Sequence, residues 1–402
     1  MTQYSLMLMV MGKGKSSSQS LHGPNYTQNA SEAFPCGRKT IAMMLLSLLL
    51  VLVLSAYYPE QIFWYSPMPK HIYHQTAINR PDDNAEDCNL FNGTWVRDFG
   101  GPIYTNTTCP TIPESKNCGK GKALAFAGDS IARNQMESLL CLLSQVEAPI
   151  RVSSDTKDKF VTWHFQSYNF TLMALWSKFI VKDSERQING TALGEHDIHL
   201  DKLDPILAAN LHRINILVIS TSRWFFRKNY LYEGEKLIGC IYCSEDNITR
   251  FSVPMAIQRA FRTALNSLKD CQECTLQLTV VRTTTSAHFE NGLWNTGGSC
   301  NRTEPLREEA MVDETDWAIR NVQVEEADRT QKNRRKGGVK IDIIDITKAM
   351  SMRPDAHPDI HWNNQWVNGY SDCSHWCLPG PIDMWNELLL AVLDKYKNSL
   401  ED

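Results

Sequence analysis

The sequence predicts an α/β domain, a mostly parallel sheet with helices on both faces, behind a single membrane-spanning helix and a short cysteine-rich lead-in. Three observations predict it. From residue 122 onward, short apolar strand segments alternate with amphipathic helical segments, and such alternation buries a parallel sheet between helices. Residues 41–58, IAMMLLSLLLVLVLSAYY, carry no charge and come close to the ~20 residues that cross a bilayer core of roughly 30 Å. Three of the 12 cysteines fall within residues 88–118, a stretch without clear periodicity. The chain is otherwise globular in composition, 43% hydrophobic and 21% charged. A formal net charge of -4 offers no basic field for nucleic acid and fits a weakly charged or uncharged substrate.

Residues 1–40 read as a disordered cytosolic tail with a Ser16-Ser17-Ser18 run. Lys13, Lys15, Arg38 and Lys39 precede the apolar run against Glu32 alone, and Tyr57, Tyr58, Trp64 and Tyr65 mark its far end. Basic residues stay cytosolic and aromatic rings settle at the interface, which predicts a type II anchor over 41–58 with the body in the secretory lumen. A cleaved signal peptide is the alternative, although the leader before the run is long for an ordinary n-region. Residues 59–86 then read as a lumenal stem, 87–119 as the Cys-rich lead-in and 120–397 as the main domain. Cysteines in that compartment form disulfides. Asn-x-Thr sequons at Asn92, Asn106, Asn169, Asn189, Asn247 and Asn301 would face glycosylation there, while Asn25 and Asn29 would stay bare in the tail.

Within the domain, residues 122–127, 160–164, 170–176, 214–220, 275–282 and 341–346 read as strands. Met136, Leu139, Leu140, Leu143 and Val146 recur at helical spacing, residues 256–268 form a second helix, and Trp385, Leu388, Leu389, Val392, Leu393 and Tyr396 line one face of a last one. Trp385 is expected in the core, and Cys141 within the apolar face after Ser130. The basic run at 332–340 reads as a solvated loop beside a helix.

Gly128-Asp129-Ser130 stands where the first strand hands over to a helix. A serine there carries its hydroxyl to the C-terminal edge of the sheet and holds its own N–H at a helix N-terminus, where it can donate to an oxyanion. Asp and Ser are also ordinary helix caps, so the tripeptide alone does not decide. Asp372-Cys373-Ser374-His375 lies in a short loop before the last helix. A carboxylate three residues before an imidazole can orient it and stabilise its charged form, and the imidazole can take the serine proton. Asp355 and His357, with His361 nearby, are a competing pair. Cys373, His375 and Cys377 have zinc-ligand chemistry, although cysteines in this compartment usually oxidise to disulfides.

The chain resembles the plant trichome-birefringence-like proteins, Golgi polysaccharide O-acetyltransferases, over about residues 87 to 396. The resemblance rests on Cys88-Asn-Leu-Phe-Asn-Gly-Thr-Trp95, Gly128-Asp-Ser-Ile-Ala-Arg-Asn-Gln-Met-Glu-Ser138, His288-Phe-Glu-Asn-Gly-Leu-Trp294 with Gly297-Gly298, and Asp372-Cys-Ser-His-Trp-Cys-Leu-Pro-Gly380. Residues 123–149 and Phe225-Phe226-Arg227-Lys228-Asn229 are most similar to the xyloglucan O-acetyltransferase branch. What the resemblance implies is a GDSL/SGNH-like three-layer α/β/α fold with Ser130 as nucleophile, His375 as base and Asp372 as orienter. Gly128, Asp129, Arg133 and Asn134 would support the oxyanion. Trp224, Arg227, His288 and Trp294 would line a sugar site, or serve as loop clamps. It further implies an acetyl donor, acetyl-CoA or a carrier derived from it, with no tightly bound cofactor and no metal. A cell-wall polysaccharide, such as xyloglucan with its galactosyl side chains, would be the acceptor; the Golgi membrane and an acetyl-donor transporter or carrier protein would be partners.

The chain departs from the family pattern twice. A segment with Trp-Arg-Trp and Cys-x-Leu-Pro-Arg-Phe motifs, which relatives carry before the serine strand, is missing after Cys118, leaving 11 cysteines beyond the span. After Ser220, where relatives have Asn-Gly-His-Trp, stands Thr221-Ser222-Arg223-Trp224; Arg223 could replace a lost oxyanion donor. An acetylesterase with water as acceptor, and a catalytically silent glycan-binding protein, are the alternative functions.

Overall fold

The apolar segments after residue 122 do pair into one sheet, and its centre is the strand that leads to Ser130. The computed structural model describes residues 7–10, 94–97, 121–306, 312–362, 371–396 and 400. Its strands are β1 (Met7–Val10), β2 (Thr94–Arg97), β3 (Ala123–Gly128), β4 (Ile150–Ser154), β5 (Phe160–Phe165), β6 (Phe170–Trp176), β7 (Val181–Ile188), β8 (Thr191–Leu203), β9 (Ile216–Ser220), β10 (Asn229–Glu233), β11 (Lys236–Ile241), β12 (Leu278–Arg282) and β13 (Lys340–Ile344). Its helices are α1 (Ser130–Ser144), α2 (Pro205–Asn210), α3 (Val253–Lys269), α4 (Glu314–Lys332), α5 (Thr347–Ser351) and α6 (Asp383–Lys395).

The main sheet runs β13-β12-β9-β3-β6-β5-β4. It is parallel from β13 to β6, and β5 and β4 close the other edge antiparallel. Successive side chains of a strand face opposite ways, and β3 shows the consequence. Leu124 and Phe126 pack with Met136 of α1 and Trp385 and Leu389 of α6. Ala125 and Ala127 pack with Ile257 and Phe261 of α3 and Ile319 of α4. The sheet is thus covered on both faces, and Trp385 is fully buried, both as expected.

Two parts of this architecture were not expected. A second, four-stranded sheet runs β11-β10-β8-β7, with β10 and β8 parallel and the other pairs antiparallel. Helix α4 buries a largely polar face, Asp316, Gln323, Glu326 and Thr330 among it, which no apolar periodicity announces. Glu326 is held there by Arg262 at 2.6 Å and by Arg329.

A separate ladder pairs β1 antiparallel with β2. The sequence places β1 in a cytosolic tail and β2 in a lumenal lead-in, whereas paired strands share one side of any membrane. No helix among the described residues is long and apolar enough to cross a membrane. The run 41–58, the stem, Asn92, Asn106 and the three lead-in cysteines lie outside the described residues. The other four sequon asparagines are all exposed. Asn169 and Asn189 turn the β5–β6 and β7–β8 hairpins at φ 46° and 51°, the left-handed region that Asn tolerates. Disulfides join Cys240 to Cys243, Cys271 to Cys274 and Cys300 to Cys373, leaving Cys141 and Cys377 free among the described cysteines. Cys141 is exposed on α1, not in its apolar face as the helical spacing suggested.

Gly128 is where the fold tolerates no side chain. A Cβ there would stand 1.8 Å from the Ser220 carbonyl oxygen and 2.9 Å from Ala132 Cβ. Backbone on one side and helix on the other leave it nowhere to move. Gly128→Ala is expected to cost about 3 kcal/mol by overpacking, read as a lower urea midpoint. An unchanged midpoint would show that β3 and β9 can separate.

Candidate active site

Asp129 organises the serine turn. It caps α1, one carboxylate oxygen accepting the Ile131 N–H at 3.0 Å. The other oxygen accepts the Ser222 N–H at 3.3 Å and faces the Thr221 hydroxyl at 3.4 Å. Its backbone N–H donates to the Ser220 carbonyl. One buried carboxylate therefore ties the ends of β3 and β9 to the start of α1, with half-buried Ser130 as the first residue of that helix. The N–H of a first helical residue has no acceptor within its helix and lies at the positive end of the dipole.

His375, the expected base, is positioned in the loop before α6. Asp372 accepts the His375 Nδ1 proton at 2.7 Å through one oxygen, and the N–H groups of Ser374 and His375 at 3.1 and 3.0 Å through the other. That fixes the tautomer and leaves Nε2 free to take a proton. Burial pushes the His375 pKa down, but the Asp372 hydrogen bond and charge, with Asp129 adding to them, hold it above its ordinary value. Burial raises the Asp372 carboxyl, and the His375 hydrogen bond and charge more than reverse this, so it sits below the usual range. The loop is pinned by the Cys300–Cys373 disulfide and by a reciprocal backbone pair between Asp359 and Asp372.

Asn134 brings the two halves together. Its Oδ1 accepts the Trp376 N–H at 2.8 Å and its Nδ2 donates to the Trp376 carbonyl at 3.2 Å. Positions four apart share a helix face, so Ser130 lies one turn from this clip. The His375 ring feels the charges of Asp129 and Arg133, the residues that bracket Ser130 on either side. Among the described residues, no hydrogen bond yet joins the Ser130 hydroxyl to His375. Free enzymes often carry this contact long and tighten it with substrate.

The competing assignments fare differently. Asp355 is taken by Arg353 at 2.8 and 2.9 Å and does not orient His357. The His357 ring lies 2.7 Å from His288 Nδ1 on one side and 2.6 Å from the His375 carbonyl on the other. Burial, then the neighbouring His288, push its pKa down to about 3. His288, also lowered by burial, has its second nitrogen 3.1 Å from the Ser351 carbonyl. Both rings thus hold the loop through their nitrogens, the contacts a loop clamp makes, and His361 is exposed. The Cys373 sulfur is spent on Cys300, which removes it from a zinc set with His375 and Cys377. Arg223 engages one guanidinium nitrogen, Nη2, with Asp316 at 2.7 Å and with the Thr285 carbonyl. Trp224, Arg227 and Trp294 do lie together. The Arg227 guanidinium is 4.1 Å from the Trp224 ring centre and 5.1 Å from that of Trp294, and Trp294 is 52% exposed. Sequence reasoning did not single out Trp176, which contacts Trp224 edge-on at 6.1 Å; its place at the end of β6, opposite Gly128, was the available signal.

Comparison with known proteins gives the family. Residues 117–392 match the GDSL/SGNH-like acyl-esterase family found in Pmr5 and Cas1p, and residues 86–123 match the PMR5 N-terminal domain. Xyloglucan O-acetyltransferase 4 of Populus trichocarpa is 43% identical over 90% of this chain and 96% of its own length. Xyloglucan O-acetyltransferase 2 of Arabidopsis thaliana is 38% identical over 82% and 88%, and the Arabidopsis protein trichome birefringence-like 19 is 34% identical over 91% and 95%.

A base must be neutral to accept a proton, so the raised pKa of His375 sets the acid limb of the rate. The kcat/KM for any acyl ester is expected to rise with pH through a midpoint above the ordinary imidazole value of about 6.5. Asp372→Asn should lower that midpoint and cut kcat by roughly 10⁴-fold by freeing the wrong tautomer. A midpoint unmoved by the substitution would remove Asp372 from the role.

Proposed function

The chain belongs to the GDSL/SGNH-like acyl-esterase family found in Pmr5 and Cas1p, and from that membership we propose that it is a polysaccharide O-acetyltransferase working through a Ser130 acyl-enzyme. The observation that carries the reading is the Asp372–His375 pair at 2.7 Å, clipped by Asn134 to the face of the helix that begins at Ser130. In the first half-reaction the Ser130 oxygen attacks the acetyl carbonyl while His375 Nε2 takes the hydroxyl proton. Asp372 stabilises the imidazolium, and the Ser130 N–H donates to the oxyanion. Collapse expels the donor's leaving group, which receives the proton. In the second, a sugar hydroxyl gives its proton to His375 as its oxygen takes the acetyl group, and Ser130 recovers the proton. Acetyl-CoA, or an acetyl carrier derived from it and delivered by a partner protein, serves as donor. Relatives named xyloglucan O-acetyltransferases support xyloglucan, through its galactosyl hydroxyls, as the acceptor.

The purified chain and its Ser130→Ala variant, incubated with acetyl-CoA and galactosylated xyloglucan oligosaccharides, test this by mass spectrometry. Acetylated oligosaccharide and a transient acetyl group on Ser130 are expected from the parent alone. Acetate released at the same rate with and without oligosaccharide would make the protein an esterase. A folded parent that yields neither acetyl-sugar, acetate nor acetyl-Ser130 would make it a silent glycan-binding protein.

We place the protein in the Golgi membrane as a single-pass type II protein with a lumenal body. In the chain purified from a secretory host, Asn169, Asn189, Asn247 and Asn301 should carry glycans and Asn25 and Asn29 none. Glycans on Asn25 and Asn29 would put the tail in the lumen, on the side where β1 could pair with β2, and would end the type II assignment.

A further inference from the structure

A cationic and aromatic cluster stands at the strand edge beside Ser130, and the steps above do not use it. β6 pairs in parallel with β3, Gly128 opposite Trp176, and the Ser177 N–H donates to the Gly128 carbonyl at 2.8 Å. The two strand ends are therefore one strand spacing apart, about 5 Å, and ligands of parallel sheets sit at that edge. Arg133 lies 5.8 Å and Lys159 5.3 Å from the Trp176 ring centre. Beyond Trp176 comes Trp224, with Lys178 at 4.9 Å and Arg227 at 4.1 Å from its ring centre.

These four cations are unequally compensated. Arg133 pairs with Glu137 at 3.4 Å. Lys178 has Asp183 and Glu185 only at 3.8 and 3.9 Å, and its third neighbour at 3.4 Å, His196 Nε2, belongs to a ring whose Nδ1 faces Asp183 at 2.8 Å. Lys159 and Arg227 form no ion pair among the described residues, their contacts being the indoles. Arg227 lies over two rings, and among the described residues none of its guanidinium's five N–H donors makes a hydrogen bond. Burial lowers the Lys178 pKa, the charges of Asp183 and Glu185 raise it, and those of Lys159 and Arg227 lower it, so the three cations share one small surface and repel one another across it. Hydroxyls of a neutral glycan do not offset that repulsion; an anion does.

We propose that Arg227, Lys159 and Lys178 form a subsite for a phosphate group of the acetyl donor, with Trp176 and Trp224 walling the path from that group to Ser130. The proposal rests on the acyl-transfer reading and adds the donor's class, a phosphate-bearing acetyl ester or thioester. A uronic-acid carboxylate on the acceptor is the other source of the same charge.

Binding separates these without needing turnover. Calorimetry on the full chain carrying Ser130→Ala would measure coenzyme A, pantetheine, which lacks its phosphates, and glucuronate. Coenzyme A is expected to bind at least ~10-fold tighter than pantetheine, with the difference shrinking at high salt. Arg227→Gln should remove most of that difference, and Lys159→Gln, which breaks only a ring contact and cannot threaten folding, should remove part. Equal binding of coenzyme A and pantetheine, or a difference untouched by both substitutions, would overturn the proposal. Glucuronate binding in place of coenzyme A, with the same dependence on Arg227, would overturn it too and give the subsite to the acceptor. Failure of acyl transfer itself would show separately, as absence of acetyl-Ser130 in the parent.

Discussion

The Asn134 carboxamide meets both polar groups of the Trp376 peptide, 242 residues further along the chain, and the position of the base follows from it. Each bond contributes about 1 kcal/mol net, but losing the amide would strand a buried N–H and a buried C=O at roughly 1–3 kcal/mol each. The neighbouring groups depend on that alignment. The Trp376 ring stacks on His357 at 4.2 Å and meets Trp385 edge-on at 6.1 Å. His357 in turn holds the His375 carbonyl. One turn further along the same face of α1, Ser138 donates to Asp383 at 2.5 Å and accepts from Asn386 at 2.8 Å. The helix that presents the serine is therefore sewn along its length to the segment that presents the histidine, with polar stitches where a plain core helix would have leucines.

That arrangement explains why so many polar groups are buried here. Arg282 is completely enclosed, lies 4.6 Å from the Trp385 ring centre, and donates to the Thr283 carbonyl at 3.3 Å. Burial pushes its pKa down to about 10, and the charge that opposes this is that of Asp129. Asp129 caps α1 and ties β9, and its charge in turn helps hold His375 above its ordinary value. The serine turn and the base are thus coupled electrostatically as well as through Asn134, without sharing a hydrogen bond.

How much of this the sequence disclosed follows from the range of each interaction. β3 and α1 were legible because a buried apolar strand, a glycine and a capping Asp are local signals; Asp372 and His375 were legible because the spacing between them is short. The β7–β8 hairpin was not, since its inward residues include His196 and His199, which read as polar. Helix α4 was hidden for the same reason, its Glu326 being paid for by Arg262 from another element. Asn134 could be named from family resemblance, but its partner, 242 residues away, could not. The exposure of Cys141 shows the limit of helical spacing, which says which residues share a face and not where that face ends.

The departure at Thr221-Ser222-Arg223 takes on a different meaning in this light. The Thr221 hydroxyl donates to the Lys178 carbonyl, the Ser222 N–H to Asp129, and Arg223 to Asp316 and Thr285. The Ser222 hydroxyl accepts from Thr284 at 2.8 Å. The segment's side chains thus bind the chain after β6, the loop after β12 and α4, and hold the sheet edge in place. What the segment does not tie down is the Ser130 N–H, a first-turn donor with no acceptor within its helix. An oxyanion donor is worth roughly 3 kcal/mol in acyl transfer, and the proposed acyl-enzyme asks the Ser130 N–H to supply it, while Arg133 is held between Glu137 and the Trp176 ring.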